Sequence, residues 1–273
     1  MPNDSSAQAA PLSSAVIPRL RLRVPAGAVL PALALIALEI AVRTDVVPAR
    51  LFPAPTQIAA TLWDLAQRDL ALHVTVSTAR VAAGFAIGAL LAVAAGILVG
   101  LNRRVESALE PSFQALRAIP GLAWVPLLLL WLGIDELPKI TLIAIGAFFP
   151  VYLNVVAGIH GVDRKLVEVG EMHGLSPREL VRRILLPAAL PNIFTGLRTG
   201  LSLAWMFMVA AELIAATRGI GYLLTDGRET SRPDIVLAAI LLLAVLGKLS
   251  DGVLRTIERR RLAWRDVLAS RGI

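Results

Sequence analysis

The sequence predicts an all-α integral membrane protein, and three observations carry that prediction. Of its 273 residues 56% are hydrophobic and only 17% are charged, with a mean hydropathy of +0.71. A soluble domain of this length has too little interior to hide so much apolar surface. The apolar residues also come in blocks rather than in a helical stripe. Runs of about 20 residues match a hydrocarbon layer of about 30 Å at a rise of about 1.5 Å per residue. The third observation is that basic residues favour alternate loops, the signature of a multi-pass topology.

Taken in order, residues 1–18 are rich in Ser, Ala and Pro and read as a disordered cytoplasmic tail. They lack the basic start and small-residue cleavage site of a signal peptide. Residues 19–266 form the membrane domain. Arg19, Arg21 and Arg23 precede a first apolar span at about 27–43, and a turn-rich stretch, Leu51-Phe52-Pro53-Ala54-Pro55, leads into a short amphipathic segment ending near Leu72. The second span covers about 76–101, and the third about 119–133 after an amphipathic lead-in from Glu110 to Ala118. The fourth covers about 139–160, the fifth about 190–216 and the sixth about 234–254, with 267–273 left as a short cytoplasmic tail. Pro126 and Pro150 fall inside the third and fourth spans, where each is expected to kink its helix.

Charge fixes the orientation. With the N-terminus inside, 17 of the 27 basic residues lie in the cytoplasm, including Arg103, Arg104, Arg117, Arg164, Lys165, Arg178, Arg182, Arg183 and the Arg-rich end from Arg255. The opposite loops hold Arg43, Arg50, Arg68, Lys139, Arg218, Arg228 and Arg232, offset by nearby acids. Both termini are therefore expected inside. The same asymmetry accounts for the net charge of +7 without a nucleic-acid partner.

Small residues predict packing. Gly84, Gly88, Ala92, Gly96 and Gly100 recur every four residues, as do Gly196, Gly200 and Ala204. Such ridges let another helix lie close.

Much chemistry is excluded. There is no cysteine, hence no disulfide or thiol nucleophile, and His73, His160 and His173 have no ligand or triad spacing. No phosphate-binding G-x-x-x-x-G-K-[ST] loop occurs, since Gly247-Lys248-Leu249 lacks its other members. No catalytic residue, metal or cofactor is expected.

One polar island interrupts the apolar pattern, at about 163–187. Asp163 suits the N-cap of a short helix running to about His173, and Gly174 suits the left-handed position that ends it. Ser176-Pro177-Arg178-Glu179 is a capping box with Pro at the first helical position, so a second helix starts there. Pro187 and Pro191 are expected to break that helix before the fifth span. Two short helices around a sharp turn make a knob that could fit a groove on a partner.

Within the spans, Glu212 is costly unless paired or wetted, and Arg80 lies at similar depth, so an Arg80–Glu212 ion pair is expected. Polar candidates for the wall of a path are Asn154, Ser202 and Trp205.

The island resembles the cytoplasmic coupling loop of ATP-binding-cassette importer permeases, whose pattern reads E-A-A, three residues, G, nine residues, I-x-L-P. Glu168, Gly174, Ile184, Leu186 and Pro187 stand in register, while Val169 and Gly170 replace the two alanines. The resemblance extends over nearly all of 50–266. Leu51-Phe52-Pro53, Ser77-Thr78-Ala79-Arg80-Val81, Arg117-Ala118-Ile119-Pro120, Trp124-Val125-Pro126, Gly146-Ala147-Phe148-Phe149-Pro150 and Ala210-Ala211-Glu212-Leu213-Ile214 look like the nitrate/sulfonate/taurine branch. The stretch Asp226–Asp234 and the ending Glu258–Asp266 look most like its aliphatic-sulfonate permeases.

This resemblance implies a six-transmembrane-helix permease bundle of the type I importer fold, in the cell inner (cytoplasmic) membrane. It implies a homodimer working with a separate ATPase subunit and an extracytoplasmic solute-binding protein. Glu168, Val169, Gly170, His173, Gly174, Ile184, Leu186 and Pro187 would couple it to the ATPase. The expected cargo is a small organic anion, aliphatic sulfonate first, with nitrate, taurine or another small ligand as alternatives. A secondary transporter would need paired intramembrane acids and inverted repeats, which the sequence does not display. A membrane scaffold would have no need of a docking knob.

Overall fold

The structure, a computed structural model, describes residues 26–264. The two predicted tails, 1–18 and 267–273, lie outside the described residues, as do the arginines at 19, 21, 23, 265 and 271. Among the described residues all regular structure is helical.

Helix α1 (Ala26–Arg43) leads to α2 (Pro55–Ala66), whose first turn it caps. The Glu39 carboxylate accepts from the Thr56 amide at 3.1 Å and from the Thr56 hydroxyl at 2.8 Å. Helix α3 (Leu70–Leu101), α6 (Glu136–His160) and α9 (Leu186–Ala215) form the heart of the bundle, with α6 between the other two. Leu142, Ile143, Ala147, Val151, Tyr152 and Val155 of α6 are all buried. Both glycine ridges serve α6. A Cβ on Gly96 would stand 2.7 Å from Val155 Cβ, and one on Gly200 would stand 2.7 Å from Val151 Cγ2. The backbones approach too closely for side chains on those faces.

Four described helices are long and apolar enough to cross a membrane: α3, α6, a continuous stretch Pro177–Ile214 and α11 (Pro233–Arg261). Helix α1, of 18 residues, corresponds to the first predicted span. The third span departs from expectation. Helix α4 (Arg103–Ala118) and the segment made of a 3₁₀ turn (Gly121–Trp124) and α5 (Val125–Leu132) meet at an angle of 89°. Pro120 is the cause, because the residue before a proline is driven out of the helical region, and Ile119 is extended at φ −73°, ψ 123°. Pro126 therefore sits at the start of α5 rather than kinking a longer helix. Tyr152 holds α4 to the core by donating to Glu110 Oε2 at 3.0 Å.

The fifth span also begins earlier than predicted. After α7 (Arg164–Met172) and α8 (Pro177–Leu180), the chain passes through a π turn (Val181–Leu185) straight into α9. Pro187 and Pro191 do not break it. The Leu186 amide reaches back five residues to the Val181 carbonyl, a wider turn that shifts the ladder just ahead of Pro187. Pro187 then occupies the first turn of α9, and Pro191 is carried within the helix. Beyond α9, α10 (Ile220–Glu229) packs on α11 and α9 at the end of the bundle opposite the α7–α8 knob.

Candidate functional site

The knob is built from local rules. Asp163 caps α7, its carboxylate accepting from the Lys165 amide at 2.9 Å. Gly174 has φ +71°, and the turn around it has two closing bonds. The Gly174 amide donates to Glu171 C=O at 2.9 Å and the Leu175 amide to Gly170 C=O at 3.2 Å, the bonding of a helix-ending left-handed glycine. Nothing lies within 4 Å of a Cβ built at Gly174, so glycine is needed there for conformation and not for space. The capping box is formed in both directions. The Glu179 amide donates to Ser176 Oγ at 3.4 Å, and the Ser176 amide donates to Glu179 Oε2 at 3.1 Å. Bonds from Ser176, with Arg183 nearby, hold the Glu179 carboxyl below the usual carboxylate range.

Gly170 stands where the coupling-loop pattern has an alanine. It is buried, and a Cβ there would meet Ile184 Cδ1 at 2.5 Å, with Leu180 and Leu175 at 3.4 and 3.5 Å. The tip of Ile184 packs on Gly170 and joins α7 to the π turn. The outer face of α7 is open. Glu168 is exposed and pairs with Arg164 at 3.0 Å. Leu166, Val169 and Met172 are exposed at three-residue spacing, Met172 at 86%. His173, also exposed, has Nδ1 2.8 Å from the Val169 carbonyl. Leu186 and Pro187 are half-buried at the root, where the knob becomes α9. An exposed apolar face on α7, joined through the Gly174 turn and Ile184 to a helix that runs into the core, can receive a partner and pass its movement inward.

The other end of α9 is built differently. Glu212, 1% exposed, and Arg80 are brought together, Arg80 Nη1 donating to Glu212 Oε1 at 2.7 Å. Arg80 also grips Glu136 at the start of α6 through two bonds of 2.6 Å, and donates to the Arg218 carbonyl at 2.8 Å. Ser77 and the Gly221 amide donate to Glu212, each at 2.7 Å. His73 Nδ1 accepts from the Gly219 amide at 3.0 Å. Arg80, Glu136 and Glu212 thereby tie α3, α6, α9 and the loop before α10 into one clamp, and no buried side-chain polar atom among the described residues lacks a partner. Glu136, Ser77 and the loop amides are members that sequence reasoning missed, as is Lys139, which is buried 3.3 Å from Glu136.

Asn154, Ser202 and Trp205 are not brought together. Asn154 packs its Cβ against Gly196 and donates to the Pro150 carbonyl at 2.8 Å. Trp205 is buried, with Nε1 donating to Ser250 of α11 at 2.9 Å. Ser202 alone faces outward. A second ion pair was also missed: Arg198 of α9 bonds Asp251 of α11 at 2.7 Å, with Glu258 at 3.5 Å. Lone charges in adjacent spans were its only signal.

Comparison with known proteins adds an independent line. Residues 84–262 match the family described as binding-protein-dependent transport system inner membrane component. SsuC of Bacillus subtilis (strain 168), a permease named for aliphatic sulfonates transport, is 43% identical over 88% of this chain and 87% of its own. SsuC of Escherichia coli (strain K12), named in the same way, is 42% identical over 79% and 82%. Among solved structures, a chain of the MetNI methionine ABC transporter in an inward-facing conformation superposes with a TM-score of 0.63. It covers 70% of this chain and 95% of the other at 20% identity, a likeness of fold alone.

Proposed function

We propose, from the premise that the chain belongs to the binding-protein-dependent transport system inner-membrane component family, that it is the membrane subunit of an ATP-driven importer for a small organic anion. The observation that carries this reading is the knob. Its exposed Leu166, Val169 and Met172 have no cover among the described residues, and its second helix runs unbroken into a core-packed α9. A separate ATPase subunit receives the knob on the cytoplasmic side, and both termini lie on that side. When the ATPase pair closes, α7 and α8 move as a body. The continuous helix carries that movement to α9, and the clamp at its far end passes it to α3 and α6. Glu168 supplies polar contact to the ATPase and Gly174 the turn.

Two copies enclose the path along a two-fold axis, the commonest arrangement for identical subunits, in the inner membrane. An extracytoplasmic binding protein delivers the cargo. Aliphatic sulfonate is favoured, because the relatives so named share over 40% identity across most of the chain and Asp226–Asp234 resembles that group. Growth of a strain lacking this gene on alkanesulfonate as sole sulfur source tests the cargo. The expected result is no growth, restored by the intact gene. Undiminished growth, in a strain with no second sulfonate importer, would remove sulfonate and leave the importer standing. Native mass spectrometry of the purified complex should show two copies of the chain; a single copy would refute the dimer.

A further inference from the structure

At the end of the bundle opposite the knob, a groove of about 630 Å³ opens between the loop after α1, the end of α9, α10 and the start of α11. Its wall has two characters. Arg50 and Arg228 bring guanidinium groups, while Phe52, Leu213 and Leu224 bring apolar surface. Ser231 lies beside Arg228 because α10 ends in a left-handed turn. Ser231 has φ +55°, and the Arg232 amide donates to the Gly227 carbonyl at 2.7 Å. Arg232 itself is committed to Asp234 at 2.7 Å. Among the described residues, neither the Arg50 nor the Arg228 side chain takes part in a hydrogen bond or ion pair; the Arg228 carbonyl accepts from the Ser231 amide at 3.2 Å. The groove also joins a distinctive face of α9. Leu213 stands at helical spacing above Met206, Ser202, Thr199 and Thr195, all exposed, so its polar part points away from the chain's own core. The exposed positions of α3 between Ala82 and Leu98, by contrast, carry only Ala, Leu and Ile.

We propose that this groove is a mouth site for an oxyanion carried on a short alkyl chain, the head held by Arg50 and Arg228 and the tail lying on Phe52, Leu213 and Leu224. The proposal rests on the import reading only for its direction, since the groove's chemistry stands without it. Guanidinium forks match tetrahedral oxyanions, and the apolar wall selects against a bare inorganic anion. Two sources offer that chemistry, a transiting alkanesulfonate and the phosphate of an anionic lipid. The open shape suits weak, reversible holding, as a path requires.

The test uses the permease–ATPase complex in nanodiscs without the binding protein. Ligand-observed NMR follows butanesulfonate, methanesulfonate and butanol. Wild type should bind butanesulfonate best, and R50Q/R228Q should weaken it by about tenfold or more, a charge-assisted bond being lost at each arginine. Phosphatidylcholine and phosphatidylglycerol discs separate the sources. Equal binding in both assigns the site to the transported anion; binding suppressed in phosphatidylglycerol, with the suppression abolished by R50Q/R228Q, assigns it to lipid. Unchanged butanesulfonate affinity in the double variant overturns the site. Should the variant fail to retain the ATPase, wild type decides alone: butanol binding as well as butanesulfonate overturns it. ATP-driven uptake, measured with the binding protein added, keeps the two readings apart. Binding without uptake refutes import and leaves the site, while uptake with arginine-independent binding refutes the site and leaves import.

Discussion

The two ends of α9 are held by opposite strategies. At the knob, the polar contacts are short in sequence: the Asp163 cap, the Gly174 turn, the Ser176–Glu179 box and the Arg164–Glu168 and Arg183–Glu179 pairs. Most of those groups are exposed. At the far end, Arg80 reaches across 132 residues to the buried Glu212 and across 56 to Glu136, whose side chain is half-exposed. A locally built knob can move as a unit without breaking long-range contacts. The buried Arg80–Glu212 pair cannot separate without leaving a charge buried and unpaired, so it keeps the helices together while the knob moves.

Substitutions can break this contrast at either end. The largest effect is expected from Arg80→Leu, which leaves Glu212 buried without its cation and should cost about 3–5 kcal/mol. Thermal melting of the purified complex would report it as a large downward shift; a melting temperature equal to wild type would mean that the clamp contributes nothing. Gly174→Val comes next. Forcing a β-branched residue to φ +71° should cost about 1–2 kcal/mol locally and misdirect α8, so ATPase co-purification and uptake should fall while the core melts normally. Gly174→Asn, tolerant of that conformation, should keep most of both. Since space around Gly174 is open, equal losses for Asn and Val would argue against the conformational explanation. Ser176→Ala removes one cap and should cost about 1 kcal/mol, seen as faster amide exchange in α8. Gly170→Ala should matter least, because the obstructing Ile184 Cδ1 is the tip of a flexible side chain. Loss of ATPase binding in that variant would show that the knob is packed more tightly than its contacts indicate.

The same division decides what the sequence makes legible. Caps, the left-handed glycine and the capping box depend on residues within about five positions of one another, and the chain spells them out. The Arg80–Glu212 partnership was readable because two charges at like depth in apolar spans have few alternatives. Glu136 was not, because it reads as an ordinary loop acid until α6 folds beside α3. Within the third span, hydropathy over 119–133 obscured the effect of Pro120 on Ile119, whose extended backbone turns α4 away from α5. Pro187 misled in the opposite sense: a proline usually marks a break, but here a π turn ahead of it lets the helix continue. For the path wall, polarity alone did not distinguish Trp205, bonded inside the chain to Ser250, from Ser202, which faces out.

The central claim is that the knob couples and the clamp holds. Its most direct test places Gly174→Val and Arg80→Leu side by side, each scored for ATPase retention during purification and for the melting temperature of what is recovered. The account predicts that Gly174→Val loses the ATPase and melts like wild type, while Arg80→Leu melts far lower and, below its melting point, keeps the ATPase. If Gly174→Val retains the ATPase, or if both variants lose both properties together, the two ends of α9 are not divided in this way.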